Sequence, residues 1–269
     1  MNNVHIKKIK KSSAKFEDWF LLRSDSHSDS LHYDSRLEMK HLNQALERNA
    51  KIIDLGDLFD AKQGKKDPRA SKSGQQGKRD DYFNEIVEQK IKRYYPFKNI
   101  WFYQGYGNHE TSIIKHNEID LLKLFCDGIG IDAGFYSGYL VLKYDINGHT
   151  ARFIINVYHG KGGNSPVTHG VINANRKAVW CPDADLYLTG HIHKSWHLDT
   201  VQERINNANK IYYKENTFLQ LPTYQYKRPD GNGWENEMDF PPSPLGAYWL
   251  RITYDSTESK LISEIMRAK

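Results

Sequence analysis

Lys51-Ile52-Ile53-Asp54-Leu55 runs directly into Gly56-Asp57-Leu58-Phe59-Asp60, an apolar stretch followed by a glycine and two carboxylates. The apolar run predicts a buried strand, and the polar residues behind it predict a loop at the carboxyl end of that strand. In open α/β sheets, ligand sites form at this edge, where loops from several strands meet. The segment therefore predicts an α/β fold and places Asp57 and Asp60 in a candidate site.

Four further segments have carboxylate, amide or imidazole side chains just after a predicted strand. These segments are Asp25-Ser26-His27, Gly107-Asn108-His109-Glu110, Tyr158-His159-Gly160 and Gly190-His191-Ile192-His193. One such block by itself is more often a set of surface polar residues than a site. Five blocks at strand ends are harder to explain by packing, because buried carboxylates and imidazoles need partners, and divalent metal ions supply them.

The rest of the chain alternates between strand patterns and helical patterns, which is typical of an α/β domain. We expect strands at 19–22, 51–55, 99–103, 185–188, 211–214, 217–221 and 247–254, and helices at 33–49, 81–95 and 111–126. A hairpin is expected to join 139–142 to 153–157 across the turn dipeptide Asn147-Gly148. Residues 62–79 are expected to form a loop and 228–245 an irregular segment.

The net charge of +5 over 269 residues is concentrated in two segments. Residues 1–15 contain five lysines and no acid, and residues 61–80 contain seven basic and two acidic side chains, so the remainder sums to 5 − 5 − 5 = −5. Both segments look flexible. Localised positive charge favours polyanionic partners, although a solvated tail and loop explain it equally well. We expect a basic N-terminal segment at 1–15 and a single domain at 16–269 with a basic loop insertion at about 61–80.

Several classes of protein are excluded by composition. No apolar run approaches the roughly 20 residues of a membrane span, and the N-terminus lacks the apolar core of a secretory signal. The two cysteines, Cys126 and Cys181, are too few for a disulfide framework or a zinc–cysteine site. We therefore expect a cytoplasmic protein without a membrane partner. The sequence does not identify a protein partner or an oligomeric state.

The order of the five blocks, D-x-H, G-D-x-x-D, G-N-H-E, H-G and G-H-x-H, resembles the calcineurin-like metallophosphoesterases over about two-thirds of the chain. The resemblance implies a four-layer αββα sandwich, in which helices flank two central sheets, and a binuclear metal centre. It assigns one metal to Asp25, His27, Asp57 and His193, and the other to Asp57, Asn108, His159 and His191, with the Asp57 carboxylate as the bridge.

The chemistry of such a centre accounts for these residue types. Two divalent ions about 3.5–4 Å apart can share a bridging hydroxide as the nucleophile and clamp the phosphate oxygens. The bridge between the ions needs a carboxylate, which Asp57 supplies. Nitrogen and oxygen ligands without thiolate suit manganese, iron, zinc or nickel better than calcium. We expect two manganese ions, with iron, zinc or nickel as the alternatives.

Further residues are expected to contact the substrate. By the resemblance, His109 is not a ligand but contacts the phosphate, together with Asn108, and protonates the leaving oxygen. Asp60 is similar to the carboxylate that orients this histidine, although a helix N-cap or a surface position is an alternative. Lys161 follows a ligand on a flexible loop and is either a phosphate contact or a surface lysine.

One departure from the family bears on the substrate. Ala61 occupies the position where phosphoprotein phosphatases have an arginine, which argues against a phosphoserine or phosphothreonine phosphatase. The block Gly56–Asp60 is more similar to the repair-exonuclease branch, and the stretch from His159 to His193 also resembles phage-encoded members. We expect a metal-dependent phosphodiesterase, a nuclease that hydrolyses nucleic-acid or nucleotide diesters.

Two alternative functions stay open at the level of sequence. One is a hydrolase of small phosphomonoesters or cyclic nucleotides, for which the basic segments are irrelevant. The other is a binding protein on a decayed phosphoesterase fold. The complete set of ligand residues argues against decay.

Overall fold

The computed structural model describes residues 3–61, 81–162, 171–227 and 241–269, and within them the strands form two sheets. The first sheet has the order β1 (Val4–Lys11), β5 (Ser137–Ile146), β6 (His149–Tyr158), β7 (Leu186–Thr189), β9 (Ile211–Gln220) and β8 (Trp196–Ile205). The second has the order β11 (Lys260–Arg267), β10 (Tyr248–Asp255), β2 (Glu17–Arg23), β3 (Lys51–Asp54) and β4 (Trp101–Gln104). The helices of the described ranges are α1 (Ser35–Glu47), α2 (Tyr82–Tyr94), α3 (Asn108–Asn117), α4 (Leu121–Ile129) and α5 (Val171–Trp180), with a 3-10 turn at Tyr95–Phe97.

The alternation of side chains along the strands builds four layers. In β2, Phe20 and Leu22 belong to the core between the two sheets, whereas Leu21 packs in a second core together with residues of α1 to α4. On the other side of the molecule, Tyr187 and Phe218 of the six-stranded sheet pack with Ala174 of α5. The predicted αββα sandwich is therefore confirmed.

Parallel pairing brings the strand ends that carry the polar blocks to common edges. Strands β2, β3 and β4 are parallel in the five-stranded sheet, and β6, β7 and β9 are parallel in the six-stranded sheet. The loops beyond these strands are hydrogen-bonded to one another, since the Asp25 amide donates to the Gly56 carbonyl at 3.0 Å and the Gly190 amide donates to the His159 carbonyl at 2.7 Å. Within each sheet, the residues that follow these parallel strands therefore lie close together.

Some predicted elements differ from the observed ones. The helix expected at 111–126 is two helices, because Glu118 adopts a left-handed conformation (φ 56°) and the Asp120 side chain caps α4 by accepting from the Lys123 amide. The two short strands expected at 211–214 and 217–221 are one strand, β9. Strands β1, β8 and β11 and helix α5 were not predicted.

The basic N-terminal segment does not behave as a flexible tail. Residues 4–11 form β1, an edge strand that pairs in parallel with β5, so the expectation of flexibility is wrong for them. Lysines on an edge strand also discourage pairing with other chains. The basic loop at 61–80 lies outside the described residues except for Ala61, as does most of 228–245, and the domain boundaries stay a prediction. None of the helices in the described ranges combines the length and hydrophobicity of a membrane span.

Candidate metal centre

Six of the seven predicted metal ligands lie in the loops at these strand ends, and the seventh, Asn108, is the first residue of α3. Asp25 and His27 follow β2, and Asp57 follows β3. The remaining four follow β4, β6 and β7 and are Asn108, His159, His191 and His193. Asp25, His27, Asp57 and His159 are almost entirely buried. The fold thus gathers ionisable side chains that are far apart in sequence into a buried cluster.

The backbone at most of these positions is strained. Left-handed φ angles, uncommon in residues other than glycine, occur at Asp25 (54°), His27 (42°), Asp57 (52°), His191 (72°) and His193 (53°). Each such residue costs about 1–3 kcal/mol and persists only where the surrounding structure holds it. Strain of this kind concentrates at functional sites, and here it coincides with five of the seven residues that the family resemblance assigns to the metals.

The first group of possible ligands surrounds Asp25. The Oδ1 atom of Asp25 lies 3.5 Å from His193 Nε2 and 4.0 Å from His27 Nε2. One ligand atom from each of these three residues lies within 4.8 Å of the other two, which is close enough to share an ion. These are three of the four ligands predicted for one metal.

The second group joins Asp57 to His159 and His191, again with ligand atoms within 4.8 Å of one another. Asn108 belongs with them, because its Oδ1 lies 3.1 Å from His159 Nε2 and 2.7 Å from His191 Nδ1. The other ring nitrogen of His159, Nδ1, lies 3.1 Å from the Leu55 carbonyl. A proton on Nδ1 would donate to this carbonyl and leave Nε2 to face the group.

Asp57 lies between the two groups. Its Oδ2 is 3.2 Å from His159 Nε2 and 3.7 Å from His27 Nε2, and its Oδ1 accepts a hydrogen bond of 2.9 Å from the His109 amide. This is where a carboxylate that bridges two ions would have to be. His27, Asp57 and His109 form a third group with ligand-like spacing, so His109 lies near the metal positions.

His109 and Asp60 are also neighbours in the structure. The Nδ1 atom of His109 lies 2.7 Å from the Asp60 carbonyl oxygen and 3.5 Å from the carboxylate Oδ1. Asp60 is buried, so the surface alternative does not hold, and its Oδ1 also lies 3.3 Å from His27 Nδ1. Lys161, in contrast, is exposed on the loop that follows His159.

The charges of the cluster are strongly coupled. Burial disfavours ionisation of Asp25, but His193 and His159 outweigh burial and lower the pKa of Asp25 to about 2. Burial opposes ionisation of Asp57 as well, yet His159 and His109 hold its pKa well below the usual range. Burial alone would lower the pKa of His159, but Asp57 raises it to about 10. The carboxylates are therefore ionised and attract positive charge.

These residues fit a metal site. Asp25 and Asp57 are buried anions, and the only compensating charges that the described residues offer nearby are imidazoles. Neither ring nitrogen of buried His27 makes a hydrogen bond of good geometry in the described part of the chain, although Asp60 is close to Nδ1. Oxygen and imidazole donors without thiolate suit divalent transition metals. The Asp and His groups could hold metal ions.

Glycines allow the loops to approach the carboxylates closely. A Cβ atom on Gly107 would lie 2.0 Å from Asp57 Oδ1, and one on Gly190 would lie 2.6 Å from Asp25 Oδ2. Both distances are shorter than any ordinary contact of a Cβ atom. The glycines of G-N-H-E and G-H-x-H are therefore required by the packing of the two carboxylates, and not only by the turns.

Glu110 supports the centre in a role that the sequence analysis did not assign. Its buried carboxylate accepts hydrogen bonds from the amides of Gly107 (2.8 Å), Asp57 (3.0 Å) and Phe59 (3.0 Å). Burial and the charge of Asp57 raise the pKa of Glu110 to about 8. A glutamate in the first turn of a helix often accepts from amides that the helix leaves unpaired, which is the signal that could have identified it.

Glu110→Ala is expected to destabilise the protein by about 3 kcal/mol or more, because it leaves three buried amides without an acceptor at about 1–3 kcal/mol each. Denaturant unfolding at neutral pH measures the difference. Glu88→Ala, at an exposed position of α2, is the matched control and should change the free energy of unfolding little. Equal stabilities of the two variants would contradict the supporting role of Glu110.

Asp29 is a second supporting residue, and nothing in its sequence surroundings marks it. Its two carboxylate oxygens accept from the amides of Asp60 and Ala61, both at 2.8 Å. Lys90 of α2, itself buried, places its Nζ 3.4 Å from Asp29 Oδ1. The loop that carries Asp60 is therefore held by a buried ion pair between distant segments.

No protein-family model and no curated protein matches the chain. Among solved structures, it is similar to a conserved uncharacterized protein of Streptococcus pneumoniae that is described as a predicted phosphoesterase. The two are 11% identical over 94% of this chain and 99% of that one, with a TM-score of 0.36. A Thermotoga maritima protein is similar at 16% identity over 93% and 99% of the two chains, with a TM-score of 0.34. Vps29 of Chaetomium thermophilum is similar at 9% identity over 93% and 95%, with a TM-score of 0.35.

Two central sheets with helices on both outer faces, and Asp, Asn and His residues behind the parallel strands, agree with the calcineurin-like metallophosphoesterases that the sequence resembles. That the seven residues bind metal stays a prediction.

Proposed function

We propose that this protein is a metal-dependent phosphodiesterase, a nuclease that hydrolyses nucleic-acid or nucleotide diesters with two divalent ions, manganese first among them. The observation that carries the proposal is the position of Asp57, whose carboxylate faces His27 of one group and His159 of the other. Binuclear phosphoesterases need such a carboxylate between their ions.

In this proposal, the two groups described above hold one ion each and share Asp57. When bound, divalent ions stabilise the negative charge of the phosphoryl oxygens and lower the pKa of water. The protein supplies the geometry. Backbone strain, the glycines and Glu110 hold the ligands in place before any substrate arrives, which is what preorganised sites require.

His109 is proposed to donate a proton to the leaving oxygen. The contact between its Nδ1 and the Asp60 carbonyl favours a proton on Nδ1 and directs Nε2 away from Asp60. The nearby Asp60 carboxylate favours the imidazolium form that a general acid needs. Asp60 thus orients His109, and Asp29 with Lys90 orients the loop of Asp60.

The proposed substrate class follows from charge and from Ala61. Ala61 leaves the site without the arginine that phosphoprotein phosphatases have at this position, so a diester with one phosphate charge is favoured. The basic segment that begins just after Ala61 favours a polyanionic substrate.

A panel of substrates tests the proposal. The purified protein with manganese is offered single-stranded DNA, duplex DNA, RNA, methyl p-nitrophenyl phosphate as a small diester and p-nitrophenyl phosphate as a monoester. We expect metal-dependent cleavage of diesters and weaker cleavage of the monoester. Activity on the monoester alone would support a phosphomonoesterase, and no activity with both metals bound would support a binding protein.

The basic segment at 61–80 provides a prediction about nucleic acid. Replacement of Lys65, Lys66, Lys78 and Arg79 by serine should weaken nucleic-acid cleavage and flatten its salt dependence, because each lost phosphate contact lowers the salt slope by about 0.9 on duplex DNA or about 0.7 on single strands. Cleavage of methyl p-nitrophenyl phosphate should be nearly unchanged, since it makes no such contacts.

The control for this variant removes the same charge elsewhere. It replaces four exposed lysines that lie outside the candidate site, Lys40, Lys92, Lys143 and Lys210. The control should keep the salt slope of the wild type. If the loop variant lost cleavage of both nucleic acid and methyl p-nitrophenyl phosphate, the loop would have a structural role. If it lost neither activity, the loop would have no role in binding nucleic acid.

A further inference from the structure

A pocket lies beside the candidate metal centre. Tyr158, Thr189 and Gln220 line it, and they are the last residues of β6, β7 and β9. The pocket therefore opens at the same edge of the six-stranded sheet as the metal groups. It lies on the outer face of this sheet, where Ala174 of α5 closes it from the side.

The loops of the metal centre form part of the rim. Gly160, which follows His159, and Gly190, which precedes His191, both line the pocket. Ile192, between the last two histidines, lines it as well. The pocket therefore shares its rim with the loops of the metal groups, so a molecule with a phosphate at those groups could extend into it.

The walls of the pocket are aromatic. Its lining includes four aromatic side chains, Tyr158, Tyr187, Trp196 and Phe218. The rings of Tyr187 and Phe218 are stacked, with centroids 4.3 Å apart and planes at 11°. Because these two rings face each other and are almost entirely buried, the aromatic surface left for a planar ring is that of the partly buried Tyr158 and Trp196.

Two cations line the pocket: Lys161, which is exposed, and Lys177 of α5, which is partly buried. Lys177 Nζ donates to Asn156 Oδ1 at 3.2 Å and lies 4.3 Å from the centre of the Tyr158 ring. An ammonium group has three N–H donors, and no other described residue accepts from this one. Burial lowers the pKa of Lys177, as expected for a cation short of polar partners.

We infer that this pocket is a substrate subsite that binds a nucleobase, with the adjoining phosphate at the metal groups. A nucleobase combines a planar ring for the aromatic walls with acceptor atoms at its edge for Lys177. The guanine edge, with O6 and N7, is the acceptor pair that lysine side chains favour. The inference rests on the proposed function for the phosphate, but the base pocket can be tested separately.

Binding of two probes tests the pocket by calorimetry: guanosine 5′-monophosphate, and ribose 5-phosphate, which lacks the base. We expect the wild-type protein to bind the nucleotide at least about tenfold more tightly, from stacking of one base. Asn173→Trp fills the pocket from an exposed position of α5 and should abolish this preference. Asn175→Trp is the matched control, exposed on the same helix outside the pocket, and should keep it.

Two results would overturn the inference: no preference of the wild type for the nucleotide, or equal preference in Asn173→Trp and Asn175→Trp. Lys177→Met, which keeps the side-chain length and removes the donor, should also weaken nucleotide binding. Hydrolysis of methyl p-nitrophenyl phosphate separates the two proposals. If the protein prefers the nucleotide but does not hydrolyse the diester, the base-binding pocket is supported and the phosphodiesterase function is contradicted. If it hydrolyses the diester but does not prefer the nucleotide, the function is supported and the base-binding pocket is contradicted.

Discussion

Asp57→Asn is expected to reduce phosphodiester hydrolysis to the background rate while the protein keeps its fold. The carboxylate lies between the two groups of possible ligands, and an amide lacks the charge that holds two cations. The fold should persist because the amide oxygen of asparagine can still accept from the His109 amide, as Asp57 Oδ1 does. The substitution therefore removes the negative charge of residue 57 and keeps the size and packing of its side chain.

The measurements are turnover of methyl p-nitrophenyl phosphate, metal content by elemental analysis and the far-ultraviolet dichroism spectrum. At least one ion per chain should be lost. Asp127→Asn, at an exposed position of α4, is the control for removing one carboxylate charge and should leave activity and metal content unchanged. If Asp57→Asn kept both metals and near-normal turnover, the binuclear assignment would be wrong.

His109→Ala is expected to lower the rate by about 10²–10⁴-fold and to leave the metals in place, because His109 is proposed to serve the leaving group. The loss should depend on the substrate. An activated leaving group such as p-nitrophenolate needs little protonation, so its diester should be cleaved with a smaller loss than a dinucleotide, whose leaving alkoxide needs a proton.

The ratio of the two kcat/KM losses is the measurement, and metal content is determined on the same samples. His116→Ala, on the same helix and exposed, is the control for removing an imidazole. Equal losses on both substrates would restrict His109 to positioning the phosphate. Loss of metal from His109→Ala would instead indicate that His109 is a metal ligand, which is compatible with its position near His27 and Asp57.

The elements that could be predicted from the sequence are those in which an apolar stretch of sequence is also buried in the structure. Strands β2, β3 and β4 are short, apolar and buried, so their composition alone indicates them. In β1 and β8, exposed and partly buried residues alternate along edge strands, and neither strand contains a fully buried residue. Their pairing with β5 and β9 stabilises them, and a short stretch of sequence does not predict such pairing between distant segments.

The types and order of the candidate ligands were also determined by the sequence, because each belongs to a short block behind a strand. Asp25, Asp57 and His159 are recognisable in this way from a few neighbours. The spatial groups they form agree with the two sets that the resemblance implied in three residues each, Asp25, His27 and His193 in one and Asp57, His159 and His191 in the other. A third group joins Asp57 to His27 and His109. Parallel pairing accounts for this agreement, since it brings successive strand ends to one edge.

Only the tertiary structure decided which residues support that centre and what lies beside it. Glu110 accepts from amides as far away as Asp57, and Asp29 meets Lys90 of α2 to hold the loop of Asp60. The base pocket joins the ends of three strands to α5, a helix that was not predicted. A sequence window records the chemistry of each side chain, but long-range hydrogen bonds, buried ion pairs and cavities depend on distances between segments that only the folded chain sets.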